Sequence, residues 1–325
     1  MPIWKRKPPE DQQQRNQAQQ DAEASQRSIA AGGLPIQAQR RLSEEMQAGH
    51  PLFSSDLSVN EFSLARNQGY RALSQVMGSS IYQVGWQFNR SYYSWDTRSL
   101  ELTTLSNAHQ HAALLALGRL EQEAVLLNAH GIIGVRLTTR DYDWGQNLLE
   151  YTAIGTAIRL ENTPLPQRPF LSDLSGQEFW TLLQAGYYPD GIVTGYCSYY
   201  VSLGSRATQQ MRGWFGTGSA NQEIIPFSQA LYTARGLAMD RLLNMSRRLN
   251  ALGVVGMHIN CARQIEEREA NGAHYMDLTV QFAAIGTAIT AVKKDHVIPT
   301  PQPTLSFTDL RPGTRGETRE LTIKG

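Results

Sequence analysis

The chain has 325 residues, with 30 Lys plus Arg against 29 Asp plus Glu, a formal charge of +1, so it lacks the basic excess that marks a dedicated nucleic-acid binder. At about 150 residues per domain this length predicts two domains, and no apolar run approaches the ~18–20 residues of a membrane span. Two cysteines, Cys197 and Cys261, are too few for a disulfide scaffold or a four-thiolate zinc site, and a cytoplasmic protein is expected.

Residues 1–31 read as a disordered arm. The stretch Asp11 to Gln20 is polar and carries no apolar stripe with which a helix could bury a face. Lys5, Arg6 and Lys7 open the chain as in a signal peptide, but no apolar region of 7–15 residues follows, so export is not expected. Trp4 beside these cations is either a short docking peptide for a partner or a solubilising terminus. Residues 32–51 read as a linker or short helix.

From 52 onward the sequence repeats itself. Phe53-Ser-Ser-Asp56-Leu57-Ser58-Val-Asn-Glu61-Phe62 recurs as Phe170-Leu-Ser-Asp173-Leu174-Ser175-Gly-Gln-Glu178-Phe179, an offset of 117 residues from Asp56 to Asp173. Asn128-Ala-His130-Gly131 recurs as Asn250-Ala-Leu252-Gly253, an offset of 122 from Gly131 to Gly253. Ala153-Ile-Gly-Thr-Ala-Ile158 is identical to Ala284-Ile-Gly-Thr-Ala-Ile289. The blocks keep their order and the offset only grows, which is the mark of a duplication with small insertions in the second copy. The copies span 52–160 and 161–292.

Each copy opens with a capping box, Ser58-x-x-Glu61 or Ser175-x-x-Glu178, in which the serine hydroxyl accepts from a helix amide and the glutamate reaches back. The short helix that follows is expected to stop at Gly69 or Gly186. Strands over 71–85 and 188–203 come next, with Gly78 and Gly195 marking a bulge or a close backbone approach. The second copy then carries Gly213, Gly216 and Gly218, which complete neither a P-loop nor a dinucleotide fingerprint. Leu231, Ala234, Ala238, Leu242, Met245, Leu249 and Leu252 form one helical stripe. In the first copy three of its positions hold polar groups, His109, Glu123 and His130. Gly131 and Gly253 read as helix terminators before buried strands, and each copy closes with a hairpin turning near Asp143-Trp144-Gly145 or Asn271-Gly272.

The expected fold class is therefore α+β: two tandem copies of a small β-α-β-β unit, each preceded by a short capped helix. One sheet face is left uncovered in each, with Tyr82, Val84, Tyr199, Tyr200 and Val201 as candidates for it. Pro299, Pro301, Pro303 and Pro312 make 293–325 an extended tail.

Gly191-Ile-Val-Thr-Gly195, Ala234-Arg235-x-x-Ala238, Ala251-Leu-Gly-Val-Val-Gly256 and Gly286-Thr-Ala-Ile289 together resemble the YbjQ-like heavy-metal-binding family, with Ala113 where the second copy has Arg235. The resemblance implies a homo-oligomeric ring, typically pentameric. It also carries a metal label but no catalytic residue. The residues lend that label little: no C-x-x-C is present, and His109 and His111 point about 200° apart on a helix. His109, His111 and His130 are the only candidate ligands, and no bound cofactor is expected. The two paired carboxylates Glu266 and Glu267 read as solvated, and no G-x-S-x-G nucleophile elbow is present. The run Tyr92-Tyr93-Ser94-Trp95 reads as loop packing. The framework is duplicated and no reactive group is, so the sequence points to a non-enzymatic, self-associating structural or scaffolding protein without nucleic-acid partners. The alternative is a metal-binding or metal-sensing module with ligands assembled between subunits.

Overall fold

The computed structural model describes residues 9–47, 53–67, 69–84, 98–141, 148–204, 223–270, 273–291, 304–308 and 318–322. Trp4 and its neighbouring cations, the run 92–95, the three glycines 213–218, both hairpin turns and the four tail prolines lie outside them. Helices α1 (Pro9–Ala30) and α2 (Ile36–Gln47) precede the first copy, which contains α3 (Val59–Asn67), β1 (Tyr70–Gln83), β2 (Arg98–Glu101), α4 (Thr103–Leu126), β3 (Gly131–Asp141) and β4 (Leu148–Leu160). The second copy contains β5 (Phe170–Leu171), α5 (Gly176–Gln184), β6 (Tyr187–Leu203), α6 (Ile225–Arg248), β7 (Gly253–Ala270) and β8 (Ala273–Ala291). Strands β9 (Thr304–Thr308) and β10 (Thr318–Thr322) follow.

Both capping boxes form. Ser58 N donates to Glu61 Oε2 at 2.8 Å and Glu61 N to Ser58 Oγ at 3.3 Å, with the same pair of bonds at Ser175 and Glu178. Gly69 and Gly186 end these helices at φ +76° and +85°. The long helices end differently from the expectation. Asn128 and Asn250 take the left-handed position at φ 52° and 53°, which frees Gly131 and Gly253 for another role. Gly78 and Gly195 are close approaches: a Cβ there would lie 2.0 Å from the Ala116 or Ala238 carbonyl, so α4 and α6 rest directly on strand backbone.

The order β1-β4-β3 in one sheet matches β6-β8-β7 in the other. Each copy carries the same bulge, between Ile133 and Arg136 and between Val255 and His258, with Gly134 and Gly256 at φ +63° and +65°. The copies are nevertheless not separate domains, because each sheet gains a strand from the other copy. β5 joins β3, and β2 joins β6. One compact unit spans Met1–Thr290. Tyr200 and Val201, expected on an uncovered face, are buried within the single chain, whereas Met77 and Ile81 on β1 remain exposed.

The arm at 1–31 was expected to be disordered, yet 9–30 is helical. It has no apolar stripe, and polar contacts fold it back on α2: Ser25 Oγ accepts from Ile36 N and Ser28 Oγ donates to the Leu34 carbonyl. Arg119 then donates to the Ile29 and Gly33 carbonyls at 3.2 Å, fixing the hairpin to α4, and Leu42 enters the core. The expected extended tail at 293–325 contains a two-stranded antiparallel pairing of β9 with β10, in a second compact unit, Ala291–Gly325.

Glu123 is buried on α4, accepting from Met77 N at 2.9 Å and from Arg41 at 3.3 Å. Burial is the largest influence and raises its carboxyl above the usual range, with Arg41 and the Met77 amide opposing it. A folded-state value above the unfolded one gives stability that is full at low pH and lost as pH rises through the folded value. Glu123→Gln keeps the amide acceptor without the charge. Urea unfolding between about pH 4 and pH 7 is expected to show a smaller decline in stability for this variant than for the parent.

Candidate functional site

The joint between the copies is the most elaborated surface of the chain. Phe170 pairs with Gly131 and Leu171 with Ile132 in a parallel ladder. The ladder continues past the bulge: Ser172 N donates to the Ile132 carbonyl at 2.9 Å, Val135 N to the Ser172 carbonyl at 3.0 Å and Gly134 N to the Leu174 carbonyl at 2.8 Å. Gly131 is the seat of the Phe170 ring, since a Cβ at 131 would lie 2.3 Å from it. The ring stacks on Phe179 at 5.3 Å, and Phe179 meets Tyr70 edge-on at 5.8 Å. Across the joint, Tyr70 Oη donates to the Gly176 carbonyl and Glu61 Oε1 accepts from Gly176 N.

The second part of the joint lies along β6. Arg241 pairs with Glu101 and donates to the Tyr196 carbonyl, both at 2.6 Å. Ser106 Oγ accepts from Ser198 N at 2.9 Å, and the Gln110 amide donates to Thr194 Oγ1 at 2.8 Å. A cavity of about 490 Å³ lies between α4 and α6, with Leu117 and Met245 in its wall and Arg168, Glu121, Asp190 and Arg248 among its charged groups. Arg168 pairs with Glu121. Burial raises the Asp190 carboxyl, while nearby Arg168 lowers it. The described residues that line the cavity bring charge but no nucleophile held against a base.

The three histidines do not converge. His109 is buried, its Nδ1 2.8 Å from Tyr151 Oη and its ring stacked on Tyr196 at 5.7 Å. His111 is exposed on the opposite side of α4, beside Tyr82. His130 lies beyond the end of α4, buried, accepting from Leu160 N at Nδ1 and donating from Nε2 to the Thr163 carbonyl at 3.0 Å. The expected stripe of His109, Glu123 and His130 along one helix is therefore broken at its last member, and its first two are interior. Among the described residues no group of three His, Cys, Asp or Glu is placed to hold a metal. Glu266 and Glu267 are exposed. Burial, then the Glu101 charge, pushes the Cys197 thiol up to about 11, so it stays protonated at neutral pH and is no nucleophile.

With both ring nitrogens engaged, His130 is a structural residue. His130→Ala is expected to cost about 1–3 kcal/mol by stranding the Leu160 amide and the Thr163 carbonyl. Chelator is expected to leave the thermal midpoint of the parent protein unchanged, measured by scanning fluorimetry.

The sequence reasoning missed Gly131 and Phe170 as an interface pair. Both stood in the repeated blocks, Gly131 read as a helix stop and Phe170 as a member of a repeat. What reveals their role is which copy supplies the neighbouring strand.

No family model matches the chain. It is 37% identical over 253 residues, 76% of this chain and 89% of the relative, to the encapsulin nanocompartment protein Rv1762c of Mycobacterium tuberculosis (strain ATCC 25618 / H37Rv). That relationship, extending through most of both chains, overturns the YbjQ-like assignment and its heavy-metal label, which rested on short glycine- and alanine-rich blocks. The pentameric ring was implied by that resemblance alone. Among the described residues no helix is long and apolar enough to cross a membrane. The chain belongs to the family of this encapsulin nanocompartment protein.

Proposed function

We propose that the chain is a non-catalytic structural protein that self-associates into a closed homo-oligomer and serves as a component of a protein nanocompartment. The observation that supports this most is the pattern of duplication. Capping boxes, bulge glycines, packing glycines and strand order recur in both copies, whereas the histidines, the cysteines and the buried Glu123 do not. An enzyme or metal binder that had doubled would be expected to keep a reactive group at least once in a convergent cluster. The name of the relative, a nanocompartment protein, supports this class of assembly.

Size-exclusion chromatography with light scattering at micromolar concentration tests the reading. A mass of several times 36.3 kDa, with closed particles in negative-stain images, is expected. A stable monomer of that mass would refute it.

A further inference from the structure

We propose that the segment 53–57 of one chain adds as a parallel strand, in a second copy, to the edge of β7 that no described strand covers, repeating between chains the joint that β5 makes with β3 inside one chain. This deepens the proposed self-association and rests on it, naming the edge, the strand and the partner.

The blocks that build the joint recur in both copies, so the internal joint is a template. Phe53 corresponds to Phe170 and Phe62 to Phe179, and the two pairs of rings stack alike, at 5.1 and 5.3 Å. Phe170 is 4% exposed beneath its joint, while Phe53 is 45% exposed. On the receiving side Gly253 corresponds to Gly131. The Gly131 seat is filled by a ring, whereas no described atom lies within 4 Å of a Cβ at 253. Leu252 corresponds to His130, and the two are 63% and 1% exposed. Each sheet has three equivalent strands, yet β3 has β5 on its outer side while, among the described residues, β7 is the last strand of its sheet. Among the described residues, an exposed Phe53 ring stacked on the half-buried Phe62 and an unfilled glycine seat on a strand edge are thus present in one chain. They are the two halves of a contact that the same chain already makes once.

The segment is held in the pose of a strand ready to pair. Asp56 N donates to Thr156 Oγ1 at 3.1 Å, as Asp173 N donates to Thr287 Oγ1 at 3.0 Å. Asp56 pairs with Arg136 at 3.1 Å where Asp173 faces His258 at 3.9 Å. Asp56 thus ties the segment to its own sheet as Asp173 does, and Ser54 Oγ accepts from Gln75 N of β1 at 3.2 Å, which leaves the edge that β5 uses as the one for pairing. Following the internal register, Phe53 would sit opposite Gly253 of the partner subunit and Ser54 opposite Val254 of the partner subunit. Ser55 would take the ladder place of Ser172, and Leu57 that of Leu174. The contact is heterologous, one surface meeting a different one, so its repetition yields a ring or an open array according to the rotation. The β6 part of the joint is not vacant on the first copy, because Arg119, which corresponds to Arg241, is held by the α1–α2 hairpin. The proposal is confined to the 53–57 edge.

The test uses the full chain with Ser54→Cys and Val254→Cys in a Cys261→Ser background that keeps the buried Cys197, treated with a short bismaleimide, alongside controls carrying only one of the two introduced cysteines. A covalent ladder at multiples of the chain, present only with both cysteines, is expected. A second variant, Gly253→Val, fills the seat where the monomer has open space. It is expected to raise the concentration at which the assembly half-dissociates at least tenfold, with the thermal midpoint of the dissociated chain unchanged. If the protein assembles but gives no ladder and Gly253→Val assembles like the parent, this inference fails and the structural reading stands. If the parent is monomeric, both fail.

Discussion

Gly195→Ala, and equally Gly78→Ala, is expected to prevent stable folding of the compact unit Met1–Thr290. The reason is geometric. A Cβ at either position would be 2.0 Å from a carbonyl oxygen of the helix above, with the next turn's amide nitrogen 2.4 Å away at Gly78 and 3.0 Å at Gly195. Neither obstacle is the flexible end of a side chain, so relief requires the whole helix to lift from the sheet. Lifting α6 would open the layer of Ala234, Ala238 and Leu242, all fully buried, against Val193 and Ala288. Overpacking a core usually costs about 1–3 kcal/mol, and a backbone clash that unseats a helix belongs at or beyond the top of that range. Far-UV circular dichroism with urea titration checks it, with loss of most of the cooperative transition as the expected result. A variant that unfolds within about 1 kcal/mol of the parent would show that the helix can shift without loss. That would remove the claim that α4 and α6 sit on strand backbone by necessity.

Phe170→Ala is expected to cost about 3–5 kcal/mol, the usual range for a buried phenylalanine, whereas Phe53→Ala in the dissociated chain should cost less than about 1 kcal/mol. The two residues occupy equivalent positions in the repeat and stack on equivalent partners. Only Phe170 is covered on its other side, by Gly131 and by the cluster of Tyr70, Ile133, Ile158 and Phe179. Removing it empties a cavity that these neighbours cannot refill, because Ile133 and Ile158 belong to strands fixed by the β3–β4 ladder. Removing the Phe53 ring strips a partly solvated surface. Equilibrium denaturation of both variants at a concentration below assembly measures the difference. Equal costs would mean that Phe53 is already buried by a contact within its own chain.

Much of each unit was legible in the linear sequence. The boxes at Ser58 and Ser175, the helix stops at Gly69 and Gly186, the stripe from Leu231 to Leu249 and the close approach at Gly78 and Gly195 follow from contacts between residues near in sequence, or from the absence of a Cβ. The candidate site was legible only as pieces. Phe170, Gly131 and Glu61 each stood in a repeated block, and each had a local explanation as repeat member, helix stop or cap. The interface roles of Phe170 and Gly131 appear only once they face one another across the joint, and there Glu61, still in its capping box, also accepts the Gly176 amide.

The polar positions of the first long helix show the same limit. His109 and Glu123 interrupt an apolar stripe, so the pattern suggests a polar stripe at an interface between chains. Both are interior because Tyr151 and the Met77 amide happen to lie within hydrogen-bonding reach, and a buried polar group is tolerated wherever such a partner exists. Likewise, α1 has no apolar face to commit it to helix. The carbonyls of Ile29 in its last turn and of Gly33 just beyond it are taken by Arg119, some ninety residues away, and that contact holds the helical hairpin in place.

The sequence by itself determined that one unit was copied and where its capped helices and packing glycines fall, but not the short strands β2 and β5, because propensity, capping and periodicity act over a few residues. Tertiary structure alone decided that β5 pairs with β3 and β2 with β6, binding the two units into one compact body. Strand pairing is made by backbone groups that every residue carries, so equivalent segments are interchangeable in pattern. Chain connectivity and the vacant edge then select which of them meet.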